Sequence, residues 1–387
     1  MARFLICAGG TGGGVYPALA VAEQLRLKVE GLQVESLNPA DHEPSNLQPA
    51  THEFLWVGSE GGMEAGLVER AGIPFKAIPA AGLHGVGLKR MPGNLQTLAR
   101  GVMASQKILS EFKPDALFFT GGYVAVPMAL AGRKIPSLLY VPDVEPGLAL
   151  KTLARFATCI TLTTADSKQF FSSKAKTVVT GYPIRSELAQ WTKASGREIF
   201  NIKSDLPVLL VFGGSKGARS INLALFEHLD HLLEQMEVIH ISGELDWDMA
   251  QAARTRLPEN LSKRYHAYNY LHNEMGAALA AADLAVSRSG ASSLGEFPFF
   301  GLPALLVPYP YAWRYQKVNA ESLANRGAAL IIEDAKLKSG LYLTVEKILE
   351  APEKLQAMSQ AMRALSTPNA AAHIAAQLME LAGAKHG

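Results

Sequence analysis

A chain of 387 residues with 48% hydrophobic and 19% charged side chains is long enough for one to three globular domains, and two is the natural division. Its 37 basic residues against 35 acidic ones exclude nucleic-acid binding through net charge, and no nucleic-acid partner is expected. Cys7 and Cys159 lie in apolar runs and read as buried thiols of a cytoplasmic protein, which argues against a disulfide framework or a metal cluster.

The first strand is expected at 4–8, so early that a signal peptide has no room. No apolar run reaches the ~18–20 residues of a membrane span, so membrane contact is expected to be peripheral. Five of the six residues 9–14 are glycine, and a helical pattern follows at 18–27. The segment 37–48, LNPADHEPSNLQ, has the composition of a surface loop. Strands are then expected at 53–57 and 75–78, with a helix at 62–71 between them. Residues 88–112 mix apolar Leu95, Leu98, Val102, Ile108 and Leu109 with basic Lys89, Arg90, Arg100 and Lys107. Most of the apolar residues in its helical part, 94–112, are expected to face the core. Lys89, Arg90 and Met91, beside Pro92 and Gly93, read as a loop suited to an anionic headgroup zone.

Strands follow at 116–120, 137–141, 159–162 and 177–180, with a helix at 148–156. Several of these strands are nearly continuous apolar runs, as in a parallel sheet covered on both faces. A polar stretch at 190–205 reads as a separator, after which the rhythm restarts: strand 207–212, glycine turn 213–218, then strands 238–241, 284–287 and 304–307. The Ala-rich tail 369–382 reads as a closing helix. The alternation predicts an α/β protein of two Rossmann-like, doubly wound domains facing a cleft. A ligand is expected at the carboxyl ends of the strands.

Glycines after a strand let a ligand approach the backbone, and the next helix start offers free N–H groups, a combination that favours a phosphate. Tight strand-to-helix packing is the plainer alternative. The first turn matches neither the dinucleotide fingerprint nor a P-loop, for no Gly-Lys-Ser/Thr follows it. Two such turns in matching places of two similar halves favour a phosphate-bearing ligand.

Seven motifs carry a family resemblance: GGTGGGVYPALAVAEQL (9–25), TGGYVAVP (120–127), GYPIR (181–185), VFGGSKGARSIN (211–222), SRSGASSLGE (287–296), GLPALLVPYP (301–310) and YQKVNAESLANRGAA (315–329). In content and order they resemble MurG, the family that adds N-acetylglucosamine to lipid I at the cytoplasmic membrane face, making lipid II for peptidoglycan. The resemblance implies an inverting transferase of GT-B architecture that uses a UDP-sugar donor and a lipid-linked acceptor, with no cofactor and no metal. It implies an acceptor and membrane-side domain at 1–184, closed by a helix at 366–387, and a UDP-sugar domain at 185–365.

On the donor side, the strand end at Ser289, Gly290 and Ala291 runs into a helix start suited to a diphosphate. Glu296 is placed to accept from the ribose hydroxyls, or else only answers its helix dipole. Ser215 is similarly placed for a phosphate oxygen. By resemblance, Arg185 approaches the donor from the hinge, uracil is read by main-chain groups near Leu271, and Gln316 and Asn319 bond the sugar. Tyr315 stands where the family has the first of two glutamines. On the acceptor side the implied residues are Thr11, Gly12, Gly13, Gly14 and Tyr123.

Two departures bear on the base. Gly14 stands where the family has a histidine, and Asp143 falls on the asparagine of a His-Glu-Gln-Asn segment, which here reads Tyr140-Val141-Pro142-Asp143. An inverting transfer needs a base for the acceptor hydroxyl. The candidates are Asp143, then Glu145, then His84; for Asp143 a turn or N-cap role is the alternative. Two rivals share these motifs: a diacylglycerol glycolipid synthase using UDP-glucose or UDP-galactose, and a UDP-sugar-binding protein without catalysis.

Overall fold

The computed structural model describes residues 1–9, 12–29, 52–62, 64–81, 91–214, 217–311 and 315–383. The chain divides into two units: Met1–Pro142 with Pro146–Pro183 and the segment from Asn369 on, and Asp143–Glu145 with Ile184–Pro368. Residues 37–48 and His84, Lys89 and Arg90 lie outside the described residues.

Unit 1 holds seven strands: β1 (Arg3–Cys7), β2 (Glu53–Ser59), β3 (Phe75–Ile78), β4 (Ala116–Phe119), β5 (Ser137–Val141), β6 (Cys159–Leu162) and β7 (Thr177–Val179). All neighbouring pairs are parallel, in the order β3-β2-β1-β4-β5-β6-β7. The central strands β4, β5 and β6 are buried throughout, which is why they read as apolar runs, while the edge strands β3 and β7 are partly exposed. The helix Ala370–Gly383 returns to this unit, packing on the helix Gly12–Val29 and on β5 and burying Ile374, Leu378 and Leu381.

Unit 2 repeats the plan with β8 (Val208–Phe212), β9 (Glu237–Ile241), β10 (Tyr265–Tyr268), β11 (Leu284–Ser287), β12 (Ala304–Leu306) and β13 (Ala329–Ile331), ordered β10-β9-β8-β11-β12-β13 and again parallel. In both sheets the winding direction reverses beside the first strand, between β1 and β4 and between β8 and β11. Each reversal opens a crevice at the carboxyl ends of those strands, and the glycine turns follow β1 and β8.

Three expectations need correction. The stretch 190–205 is no separator: Thr192 caps the helix Lys193–Ile199, which packs within unit 2 on the helix Met275–Ala281. Met91, Pro92 and Gly93 form no loop, for they open the helix Met91–Phe112, whose first turn tolerates a proline. The strands β10 and β13 were not expected, since YHAY alternates half-buried positions at an edge and ALI is three residues long.

Candidate active site

At the crevice of unit 1, groups of the protein itself crowd Gly9, Gly14 and Gly122. Trp56 Nε1 donates to the Ala8 carbonyl at 3.0 Å, fixing the start of the first turn. A Cβ on Gly9 would lie 2.6 Å from Glu64 Oε1, and one on Gly122 (φ 84°) would lie 2.6 Å from the Gly9 carbonyl oxygen. Thr120 Oγ1 donates to the Gly14 carbonyl at 2.7 Å, and a Cβ on Gly14 would meet Thr120 O at 3.3 Å. Close packing between the turns after β1 and β4 therefore requires Gly122 and crowds Gly14, while Gly9 leaves room for the Glu64 carboxylate. A histidine at position 14 would have to push Thr120 aside by a few tenths of an ångström. Glu64, which sequence reasoning missed, is fully buried and accepts from the Ser59 amide and hydroxyl, each at 2.8 Å. Its signal is weak: an acid at a helix start, ringed by glycines at 9, 58 and 62. Tyr123 is exposed beside these turns, Gly12 and Gly13 open the helix that follows β1, and Thr11 lies outside the described residues.

Unit 2 differs. No described atom lies within 4 Å of a Cβ built on Gly214 (φ 107°) or on Gly290, so at these two positions the backbone borders open space. Gly217 (φ 78°) is instead required by packing, its Cβ position lying 2.3 Å from the Ser242 carbonyl oxygen. Ser215 lies outside the described residues.

The loop after β11 is tied into the unit by a chain of polar contacts. Arg288 Nη1 donates to Val307 O at 3.1 Å and pairs with Asp334, Nη2 donates to Ser220 Oγ at 2.8 Å, and the guanidinium lies 5.2 Å from the Tyr309 ring centre. Buried Ser289 donates its hydroxyl to the Gln316 carbonyl at 2.7 Å, and Ser293 donates to Gly290 O at 2.6 Å. Gln316 Oε1 accepts from the Tyr309 amide at 2.8 Å, so what Gln316 offers beyond that bond is its NH2 group.

Asn319, expected to bond the sugar, engages polar groups of the protein itself. It is fully buried; Nδ2 donates to Asp143 Oδ1 at 2.8 Å and to Ser289 O at 3.1 Å, and Oδ1 accepts from the Val144 amide at 3.0 Å. Both amide hydrogens are engaged, which makes Asn319 the clamp holding residues 143–145 within unit 2. Half-buried Asp143 thus sits one side chain away from Ser289, and burial pushes its carboxyl up although the Asn319 bond pulls it down. Glu145 is buried in the same segment, and His84 cannot be placed because it lies outside the described residues.

Glu296 opens the helix Glu296–Phe300 directly after the turn Ala291–Leu294. Burial raises it to about 6, opposed by the charge of Arg185 and by the Ser292 hydroxyl. Near neutral pH it is largely ionised and able to accept from hydroxyls, with Arg185 as the nearby cation. The Leu271 side chain is buried in the core, between Tyr270 and His272, whose rings are 4.6 Å apart. Ser289, Gly290, Ala291, Glu296, Gln316, Asn319 and Asp143 therefore gather at the carboxyl-end crevice of one unit. A separate cavity of about 510 Å³, lined by Arg26, His52, Phe54 and Phe112 among others, lies at the amino ends of β2 and β3 and contains none of these residues.

Comparison with known proteins bears on the fold and the family. Residues 45–162 match the glycosyltransferase family 28 N-terminal domain and residues 208–377 its C-terminal domain. A "UDP-N-acetylglucosamine--N-acetylmuramyl-(pentapeptide) pyrophosphoryl-undecaprenol N-acetylglucosamine transferase" of Roseiflexus sp. (strain RS-1) is 42% identical, covering 96% of this chain and 93% of its own. The protein of that name from Desulforamulus reducens is 36% identical, with 96% of each chain covered. The crystal structure of Acinetobacter baumannii MurG superposes with a TM-score of 0.75 at 27% identity, covering 98% of this chain and all of that one. A UDP-GlcNAc 2-epimerase from Neisseria meningitidis, solved bound to UDP-GlcNAc, shares the fold alone, with a TM-score of 0.63 at 15% identity over 98% of this chain and 100% of its own. The chain belongs to glycosyltransferase family 28 and, within it, to the MurG family.

Proposed function

We infer that this protein transfers N-acetylglucosamine from UDP-N-acetylglucosamine to lipid I, giving lipid II for peptidoglycan, with inversion at the sugar. The donor occupies the crevice of unit 2. Its diphosphate lies against the open backbone at Gly214 and Gly290, its ribose is held by Glu296, and its sugar meets the NH2 group of Gln316. In the step itself the acceptor hydroxyl oxygen bonds to the anomeric carbon while the bond from that carbon to the UDP oxygen breaks. UDP leaves with the electron pair, and the hydroxyl proton passes to Asp143. The observation that carries this reading is the continuous chain Asp143–Asn319–Ser289–Gln316–Tyr309, which joins a raised carboxylate to the donor loops. A base with a raised pKa takes the proton more readily at the moment of attack.

The acceptor is handled by unit 1, at the cytoplasmic face of the membrane. Along the helix Met91–Phe112, Leu95 and Met103 are exposed together with Arg100 and Lys107, while Ile108 is buried. This mixed face supports peripheral contact with anionic lipid, each basic residue adding ~1 kcal/mol. No helix among the described residues is long and apolar enough to cross a membrane.

The test is UDP release by the purified protein. UDP-N-acetylglucosamine, UDP-glucose and UDP-galactose are each offered with a lipid I analogue or with diacylglycerol, with and without EDTA. Turnover is expected only for UDP-N-acetylglucosamine with the lipid I analogue, and at equal rates in EDTA. Turnover on diacylglycerol would reassign the protein as a glycolipid synthase, and donor binding without turnover on any acceptor would reassign it as a binding protein.

A further inference from the structure

Beneath the second glycine turn runs a buried polar chain with no part in the chemistry above. His240 on β9 is fully buried; its Nδ1 lies 2.7 Å from the Tyr265 hydroxyl and its Nε2 lies 3.0 Å from Asn222 Oδ1. Asn222, also fully buried, donates through Nδ2 to Ser242 O at 2.8 Å and to Asp246 Oδ2 at 2.9 Å. Asp246 in turn pairs with Arg219 at 3.2 Å. Gly217 rests on that same Ser242 carbonyl, so closely that no side chain fits between them.

The directions of these bonds are fixed. Asn222 must offer both amide hydrogens to carbonyl and carboxylate oxygens, so the atom it turns to His240 is its acceptor oxygen. His240 therefore carries its proton on Nε2, and its Nδ1 must accept from Tyr265. Burial keeps the ring uncharged by pushing it down to about 3.

We propose that His240 is the positioning residue of the second glycine turn, because through Asn222 it fixes the carbonyl on which Gly217 rests. The consequence for donor affinity builds on the reading of unit 2 as the UDP-sugar unit. Without the His240 donor, the Asn222 oxygen is left buried and unsatisfied, the amide is held from one side only, and the seat of the turn loosens.

Three variants test this. His240→Phe keeps an aromatic ring beside Phe226, whose ring centre lies 5.5 Å away, but donates nothing. His240→Gln can place an amide donor where Nε2 stood. Tyr265→Phe removes only the hydroxyl and serves should His240→Phe fail to fold. Amide exchange of the peptide spanning 213–222 is expected to speed up about tenfold in His240→Phe, severalfold in Tyr265→Phe and little in His240→Gln, as one buried hydrogen bond is worth about that factor. The affinity for UDP and the KM for the donor should follow the same order, with the KM for the acceptor unchanged. Equal exchange in wild type and all variants overturns the positioning role whatever UDP does. Faster exchange without UDP binding by the wild type leaves the role standing and removes the donor assignment of unit 2.

Discussion

Glu296 is held at about 6 because burial opposes its charge more than Arg185 and Ser292 favour it. A carboxyl raised in the folded state holds its proton more tightly there than in the unfolded chain. Its contribution to stability is therefore complete below about 4.5 and is lost as the pH climbs through about 6. Glu296→Gln abolishes that loss, so denaturant titrations at pH 4 and pH 7 should show the wild type losing on the order of 2 kcal/mol relative to the variant, at about 1.4 kcal/mol per pH unit. A constant difference between the two proteins would mean the carboxyl is not raised. Asp143 is tested by turnover. Asp143→Asn can still accept from Asn319, so the fold and UDP affinity should survive while kcat falls by ~10²–10⁴, the range for a lost general base. The raised carboxyl also sets the acid limb of kcat/KM above the usual carboxylate range, and Asp143→Asn should remove that limb. A wild-type kcat in the variant would make Asp143 a turn residue and pass the role to Glu145.

The segment 143–145 and the helix Lys193–Ile199 show what was and was not legible at the scale of elements. Strands such as β4, β5 and β11 could be read because burial on both faces forces unbroken apolar runs. The helix Lys193–Ile199 was hidden because seven residues with one buried glycine carry almost no periodicity. Its placement rests on what Gly196 lacks: a Cβ there would lie 2.4 Å from the Ala277 carbonyl oxygen. Gly196→Ala is therefore expected to destabilise unit 2 by about 1–3 kcal/mol through overpacking, read as a lower urea midpoint. The motifs likewise pick out loops that the fold brings to one crevice but not the engagement of each polar atom. The motif around Asn319 gives the residue type, whereas its partners Asp143 and Val144 lie more than 170 residues away in sequence. Glu64 and His240 escaped notice for the same reason: a buried charge or ring is recognised by its neighbours, not by its own letter.

At the scale of the whole molecule, the doubling of the plan was plain from two strand-glycine-helix openings, and so was the closing helix. Removing everything after Pro368 strips Ile374, Leu378 and Leu381 from unit 1, a loss of roughly 5 kcal/mol or more at about 2 kcal/mol per buried aliphatic side chain. That equals the whole stability of a typical domain. The truncated chain should lose the unfolding transition of unit 1 and become protease-sensitive there, while unit 2 keeps its own transition and its UDP affinity. Two intact transitions would show the helix to be dispensable.

The return of the helix Ala370–Gly383 to the first unit also sets an order in time. A ribosome extends a chain at about 5–20 residues per second and releases domains from the N-terminal side. Here the sheet made first waits for the segment made last, while unit 2, nearly all of it contiguous from Ile184 to Pro368, has every strand in hand before that segment emerges. During synthesis the half assigned to the donor is complete before the half assigned to the lipid. A released chain ending at Pro368 would carry every strand of the second sheet and an apolar-rich first sheet without its last cover, the state most in need of a chaperone.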